Sequence, residues 1–588
     1  MGEQAVTGAV PEARGLFVRQ SSGLVREFRP TDVFVFNTLG YATGLVLAVV
    51  PTFAAALWPE QNVLLIVAIG TLLTIFNAAM YGYLAGVMPR SGGDYVYLSR
   101  VVHPAVGFTA NWGFTWSQFL GLGLYSAFAV NFGIAIAFAT LGNATGNDTL
   151  IDWSTSVSGD WPTFLIGAGI LVLVLAVLSL DTRIIRNIFL FVTLGVLFTT
   201  SKEEFVAKFN AFMAERADGQ TYQGIIDQAS SGGFSAGEAT FFGALLALPL
   251  GYWIYIGFTY SAYIGGEVKQ ASKTQPRMIF ATLAFAFLVY MLAFWRYYDI
   301  VGQDFTNSVV FLGDDSGIPV SPVLNFFVGI MTGSTILNVL MGISFILWNV
   351  LLLFVIAMIC TRNIFAWSFE GLAPRQLATV SERTHAPWVA AILISAIAVV
   401  LLALYVFTSF FTIVVNYIVI FSVAFWMASF AAILLPYRRR DLFEQAPEAV
   451  RRKIGGIPVM TLLGVGNLIL FTLILIASFD TPAFSGPTSG RAIAFVVGIY
   501  VSGVALYFIA YAGPAVQHRR TSEGGRRRNP GPQQTDHPDL DPHSSWHPDH
   551  PRQGQSRHHE QQDVVPAKAV APPSDIRGGH GSHPDGCR

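Results

Sequence analysis

Two glycine-interrupted stretches place polar groups and backbone inside runs that are otherwise apolar. The first, "FNTLGYATGLVLAVVP", sets Gly40 and Gly44 one helical turn apart beside Asn37, Thr38 and Thr43. The second, "PLGYWIYIGFTYSAYIGGEVK", carries Pro249, Gly251, Gly257, Gly265 and Gly266 with Thr259 and Ser261. A helix interrupted at such a point presents N–H groups where one half starts and carbonyls where the other half ends. The N–H groups suit a carboxylate, and the carbonyls suit an ammonium or a metal cation. A zwitterion needs both. Alone, the first pattern serves equally as a close helix-packing face. Matching breaks in two halves of a chain point instead to a transporter site near the bilayer midplane.

Other chemistries find less support. The apolar runs hold no cluster of acid, base, nucleophile and metal ligands of the kind an embedded enzyme needs, and no polar stripe or selectivity loop of the kind a channel needs. Cys360 and Cys587 are far apart and imply neither a disulfide framework nor a metal site. Most of the 11 histidines lie irregularly spaced beyond residue 528, as in a disordered polar tail. Nothing points to nucleic acid, a resident cofactor or an obligate protein partner.

The elements that must hold the breaks are membrane spans. Of 588 residues, 53% are hydrophobic and only 12% charged, against about a quarter charged in soluble proteins. Mean hydropathy is +0.53. The apolar runs are long enough to cross a hydrocarbon core of about 30 Å. We expect an all-α polytopic protein with twelve spans, at 31–57, 62–88, 104–140, 162–180, 186–200, 241–266, 276–297, 323–366, 388–409, 411–435, 457–479 and 491–513. The third and eighth are long enough to require tilt or an extension into solvent. Lys and Arg gather in the N-terminal segment and in alternate connectors, such as Arg438, Arg439, Arg440, Arg451, Arg452 and Lys453. The opposite connectors hold acids, including Asp148, Asp152, Asp160, Asp304, Asp314 and Asp315. The positive-inside rule then puts both termini in the cytoplasm of a cell whose plasma membrane holds the chain.

Three segments lie outside the spans: residues 1–30, an external loop at 201–240, and a disordered cytoplasmic tail at 514–588. Within the loop, "SKEEFVAKFNAFM" has a capping-box pair, Ser201 and Glu204, and puts Phe205, Phe209 and Phe212 on one helical face. That face fits a lid on the bundle or a docking helix for a partner. Glu267, Arg296 and Asp299 fall near span ends, where salt bridging or snorkelling is the expected role.

The connector "PRSGGDYVYLSR" resembles the loop after the second span of amino acid–polyamine–organocation permeases. "GGEVKQASKTQPRMI" and "CTRNIFAWSFEGLAPRQLATVSERTHAPWVA" are similar to later segments of the same family, in the same order. The resemblance covers residues 30 to 515 and implies two inverted five-span repeats of the leucine-transporter type, about 31–200 and 241–435, plus two further helices. It implies a secondary transporter of amino acids or related amines, with lipid and a small-molecule substrate as its partners. The alternative is a transporter-like sensor that binds without accumulating substrate.

Carried over residue by residue, the resemblance puts the first break near Gly40, Ala42, Thr43 and Gly44, and the second at Ile256 and Gly257. The usual G-x-G spacing is absent from the first break. Trp253 stands where some members cap the substrate with an aromatic; lipid- or core-facing bulk is the other reading. Thr259 stands where some carriers of basic amino acids have an acid, which argues against a basic side chain. The connector becomes a cytoplasmic gate, with Gly92 and Gly93 turning at positive φ, and with Arg90 and Asp94 paired to charges on neighbouring loops. Tyr95 and Tyr97 fit equally as aromatic-belt anchors. Many members carry a fifth-span lysine where sodium-coupled relatives bind sodium; here Thr193 takes that place. Coupling to Na+ or H+ is open. A sodium site of first-span carbonyls with the Ser344 hydroxyl is one expectation, and a Ser344 bonded to its own helix is the other.

Overall fold

The computed structural model describes residues 26–176, 183–214, 220–379, 387–408, 417–480 and 490–512. The expected tail and most of the N-terminal segment lie outside these. The first expected span is two helices, α1 (Pro30–Gly40) and α2 (Thr43–Leu57). Next come α3 (Val63–Val87), the short α4 (Asp94–Val101) and α5 (Pro104–Phe128). α5 passes through one wide π turn at Ala129–Ile134 into α6 (Ala135–Thr145). The expected third span therefore runs longer than its apolar core, as one helix from Pro104 to Thr145.

After α7 (Asp148–Val157), α8 (Asp160–Ala176) and α9 (Arg183–Thr199), two amphipathic helices lie outside the spans, α10 (Lys202–Ala214) and α11 (Tyr222–Ser231). The expected sixth span is not one helix. It comprises α12 (Phe241–Leu246), α13 (Leu248–Trp253) and single 3-10 turns at Tyr260–Tyr263 and Gly265–Glu267. α14 (Ala271–Ile300) and α15 (Gln303–Leu312) follow. The expected eighth span is also divided, into α16 (Leu324–Thr332) and α17 (Thr335–Phe369). Gly333 at φ 54° ends the former and Ser334 caps the latter, so the extra length is a separate helix and not tilt. The bundle ends with α18 (Trp388–Phe407), α19 (Tyr417–Arg438), α20 (Val459–Asp480) and α21 (Gly490–Ala512).

Among the described residues, 9 helices are long and apolar enough to cross a membrane, or 10 if α7 and α8, bent by 81°, count as one span. The expected fifth span has a described apolar stretch of only Leu190–Thr199, and the expected sixth is in pieces. The chain is a multi-pass membrane protein. Its helices approach closely where glycine lets them: a Cβ on Gly70 would lie 2.3 Å from the Gly251 carbonyl oxygen, and one on Gly82 would lie 2.9 Å from the Pro276 Cα. Buried amides add cross-bundle bonds, with Asn77 donating to Asn467 at 2.9 Å and Asn467 to Ser429 at 2.8 Å. The α1–α2 span is the innermost, its apolar window 89% buried against 28% for α18 and α21.

The α10 helix forms where its capping pattern places it, Ser201 Oγ accepting from the Glu204 N–H at 3.2 Å. Phe205, Phe209 and Phe212 are all buried. Their rings meet Phe305, Phe327 and Phe326, so this face is spent on the chain's own α15 and α16. Lys208 Nζ donates to the Met331 carbonyl, near the C-terminal end of α16.

Candidate functional site

The first break is two residues wide, Tyr41 and Ala42. α1 ends at Gly40, Ala42 takes a left-handed conformation (φ 47°, ψ 58°), and α2 starts at Thr43. Ala42 has no polar side chain, so the first N–H groups of α2 have no side-chain cap. The second break spans Ile254 to Thr259, with Gly257 at φ 113°. The two breaks touch: a Cβ on Gly257 would fall 2.2 Å from the carbonyl carbon of Gly40, and one on Gly40 would fall 2.8 Å from the Gly257 oxygen. Asn37 Oδ1, in the last turns of α1, accepts from the Ser261 N–H at 2.8 Å and ties α1 to the turn that follows the second break.

A small cavity opens beside this contact. Gly40, Tyr41 and Ala42 line it from the first break, and Trp253 and Ile256 from the second. Leu45, Val46, Tyr125, Tyr260, Leu352 and Ile356 complete the wall. Every one of these residues is buried. The Trp253 ring stands 5.9 Å from Phe53, and its indole N–H donates to the Tyr417 hydroxyl, which also meets Tyr125 at 3.0 Å. Tyr260 donates to Gln118 at 2.7 Å. The side chains on the wall are apolar or aromatic and none is charged. Polar recognition falls to the backbone at the breaks and to the phenols.

Of the residues expected here, Gly40, Ala42, Trp253 and Ile256 line the cavity. Gly257 shapes it from behind, while Thr43, Gly44 and Thr259 are buried but do not line it. Trp253 is thus neither lipid-facing nor plain core bulk.

The connector after α3 turns through Gly92 (φ 106°) and Gly93 (φ 50°). A Cβ on Gly93 would lie 2.6 Å from the Tyr263 ring, so glycine there serves close approach as well as φ. The Gly92 N–H donates to the Tyr263 carbonyl at 2.9 Å, and Ser91 pairs with Ile264 as an isolated antiparallel bridge. Tyr95 and Tyr97 are buried, not belt anchors at a lipid interface. Tyr95 donates to Glu370 at 2.5 Å, and burial beside that carboxylate holds its phenol protonated. The expected pairing of Asp94 with a neighbouring charge is not made: Asp94 is fully buried and accepts from the Asn111 amide at 2.9 Å, while Arg90 is exposed. The charge pair that closes this side is Glu267 with Arg362, joined at 2.8 and 3.0 Å and almost fully buried. Arg296 pairs with Asp299 at the opposite end of α14.

Residues 33–506 match the model of a family described as amino acid permease. The chain belongs to the amino acid permease family. Among solved structures, that of MhsT in complex with L-phenylalanine superposes on this permease with a TM-score of 0.50 at 14% identity. The match covers 76% of this chain and 98% of that one, and likeness at this identity is a likeness of fold. An 82-residue stretch is 34% identical to uncharacterized protein 399 of Sulfolobus islandicus rod-shaped virus 1. It spans 14% of the permease and only 20% of that relative's length.

The two candidate ion residues of the permease lie apart from the cavity wall. Thr193, on α9, is fully buried with no hydrogen-bond partner for its hydroxyl. Ser344 is fully buried on α17, and α9 packs against α17 and reaches α2. Sequence reasoning passed over Tyr41, Tyr260 and Leu352, which line the cavity, and Asn111, which holds the connector. Tyr41 and Tyr260 carried a usable signal, since each lies within three residues of a break glycine.

Proposed function

We propose that this permease is a secondary active transporter that carries amino acids or related amines across the membrane by alternating access, with substrate held between the two broken segments. The observation that carries this reading is the cavity lined by buried residues, with Gly40–Ala42 on one side and Trp253 and Ile256 on the other. Uncapped N–H groups at the start of α2 suit the substrate carboxylate. Carbonyls of the unwound turns suit its ammonium. The uncharged wall of the cavity favours a small or apolar side chain. The solved MhsT structure holds L-phenylalanine, a ligand of that class. A sodium ion held near Ser344 and Thr193 by first-span carbonyls is the coupling arrangement we favour, with both termini in the cytoplasm and the α10–α11 cap outside.

The test is uptake of a labelled amino-acid panel into proteoliposomes under a sodium gradient, a proton gradient, or neither. Sodium-driven accumulation of apolar amino acids, lost in Ser344→Ala, is the expected result. Proton-driven accumulation that survives in Ser344→Ala removes the sodium assignment. Saturable binding without accumulation under any gradient replaces the transporter by a sensor.

A further inference from the structure

Asp94 is the fully buried aspartate among the described residues, and the groups that act on its carboxyl are Asn111, Tyr263 and backbone N–H groups, with no Lys or Arg among them. Its Oδ1 accepts from Asn111 Nδ2, while its Oδ2 has no hydrogen-bond partner. The Asn111 amide is held in turn, its oxygen accepting from Trp367 Nε1 at 2.9 Å. The titratable groups around Asp94 are phenols: Tyr97 from α4 itself, Tyr81 from α3, Tyr263 from the second broken segment and Tyr500 from α21. The Tyr263 hydroxyl lies beside the carboxyl without closing a well-aligned bond to it.

The nearby charges are engaged elsewhere. On α17, Glu370 takes the Tyr95 hydroxyl and faces Arg100, while Arg362 is committed to Glu267. Arg438 and Arg439, at the end of α19, bond the carbonyls of Val102 and Arg100. His103, at the start of α5, is exposed and turned to Tyr507. An isolated carboxylate sealed in such a place is costly, and a neutral carboxylic acid is not.

We infer that Asp94 is a proton-binding site of the cytoplasmic gate, which closes over the carboxylic acid and, on opening, lets it ionise into cytoplasmic water. This rests on the reading of the connector as that gate. Burial is the main cause that pushes the Asp94 carboxyl up to about 7, against the opposing pull of the Asn111 hydrogen bond and the nearby Tyr263 hydroxyl. The closed state therefore binds the proton more tightly than the open, wet state, whose carboxyl titrates near the usual ~3.9. Closure is fully supported below that lower value, and the support is lost as pH rises through about 7. Cytoplasmic pH thus falls where the gate responds.

Infrared difference titration of the purified full chain, grown with 13C-aspartate, reads the protonation state without reference to transport. A protonated aspartate band that disappears between about pH 6 and pH 8, and is missing throughout in Asp94→Asn, is expected. Absence of that band at the acid end, or its persistence in Asp94→Asn, overturns the proposal. If the variant does not fold, the labelled wild type alone decides. In proteoliposomes, uptake by wild type should vary with pH on the cytoplasmic side and uptake by Asp94→Asn should not; an unchanged pH profile in the variant also overturns it. A titrating band in a chain that moves no substrate would sink the transporter reading and leave the proton site standing.

Discussion

Gly257 is the residue on which the site turns. Its φ of 113° is one that side chains rarely adopt, and its missing Cβ leaves room for the Gly40 carbonyl. Gly313 separates these two demands, because its φ is 54° but nothing lies within 4 Å of a Cβ there. Gly313→Ala is expected to cost about 1–3 kcal/mol of backbone strain and leave substrate binding intact. Gly257→Ala carries the same strain and also drives a methyl into the Gly40 backbone, pushing the two breaks apart. Substrate binding measured by scintillation proximity should fall at least tenfold (about 1.4 kcal/mol) in Gly257→Ala alone. Equal binding in both variants would show that contact between the breaks is dispensable.

At the scale of elements, the Glu267–Arg362 pair ties the end of the second broken segment to α17. Both groups are almost fully buried, and the carboxylate takes two guanidinium N–H bonds. Removing one partner from such a pair costs about 3–5 kcal/mol because it strands the other charge, while replacing both by apolar residues is often neutral. Glu267→Gln should lower the thermal midpoint of the purified protein markedly, and Glu267→Met with Arg362→Met should recover most of it. A single substitution as stable as wild type would mean that the pair does not hold the segment.

The same scale shows what a single sequence can reveal. Both breaks were legible because glycine and hydroxyl residues are conspicuous in apolar runs, and α10 because its cap and phenylalanine spacing are local signals. The division of the eighth span carried a signal that the sequence reading passed over, the run Thr332-Gly333-Ser334-Thr335, in which the glycine ends one helix and the serine caps the next. Leu352 was not legible. Which face of a buried, uniformly apolar helix meets a cavity depends on its rotation against neighbours far away in sequence. Asp94 illustrates the opposite error: a lone acid amid arginines suggests an ion pair, and only packing shows that its carboxyl is buried against the Asn111 amide.

Two sets of ties flank the cavity among the described residues. On one side, Thr52 donates to the Pro322 carbonyl at 2.8 Å, and Asn307 and Gln303 both donate to the Pro59 carbonyl. On the other side, the Phe28 and Lys269 backbones, the Ser91–Ile264 bridge and the Glu267–Arg362 pair join the N-terminal segment, the connector, the second broken segment and α17. Alternating access requires each set of ties to break in turn while the other holds. Ser91 and Ile264 offer a way to prevent one opening, because residues paired across an antiparallel bridge have Cα atoms about 4.5–5.5 Å apart. A disulfide accommodates about 4.4–6.8 Å. In a Cys587→Ser background, Ser91→Cys with Ile264→Cys should cross-link on mild oxidation. Uptake into proteoliposomes should then stop, and a reductant should restore it. Binding of substrate from the opposite side should persist in the cross-linked protein, because only one face has been locked. Full-rate uptake with the link in place would mean that substrate passes without parting the connector from the second broken segment, and the cavity between the breaks would then belong to a different route through the bundle.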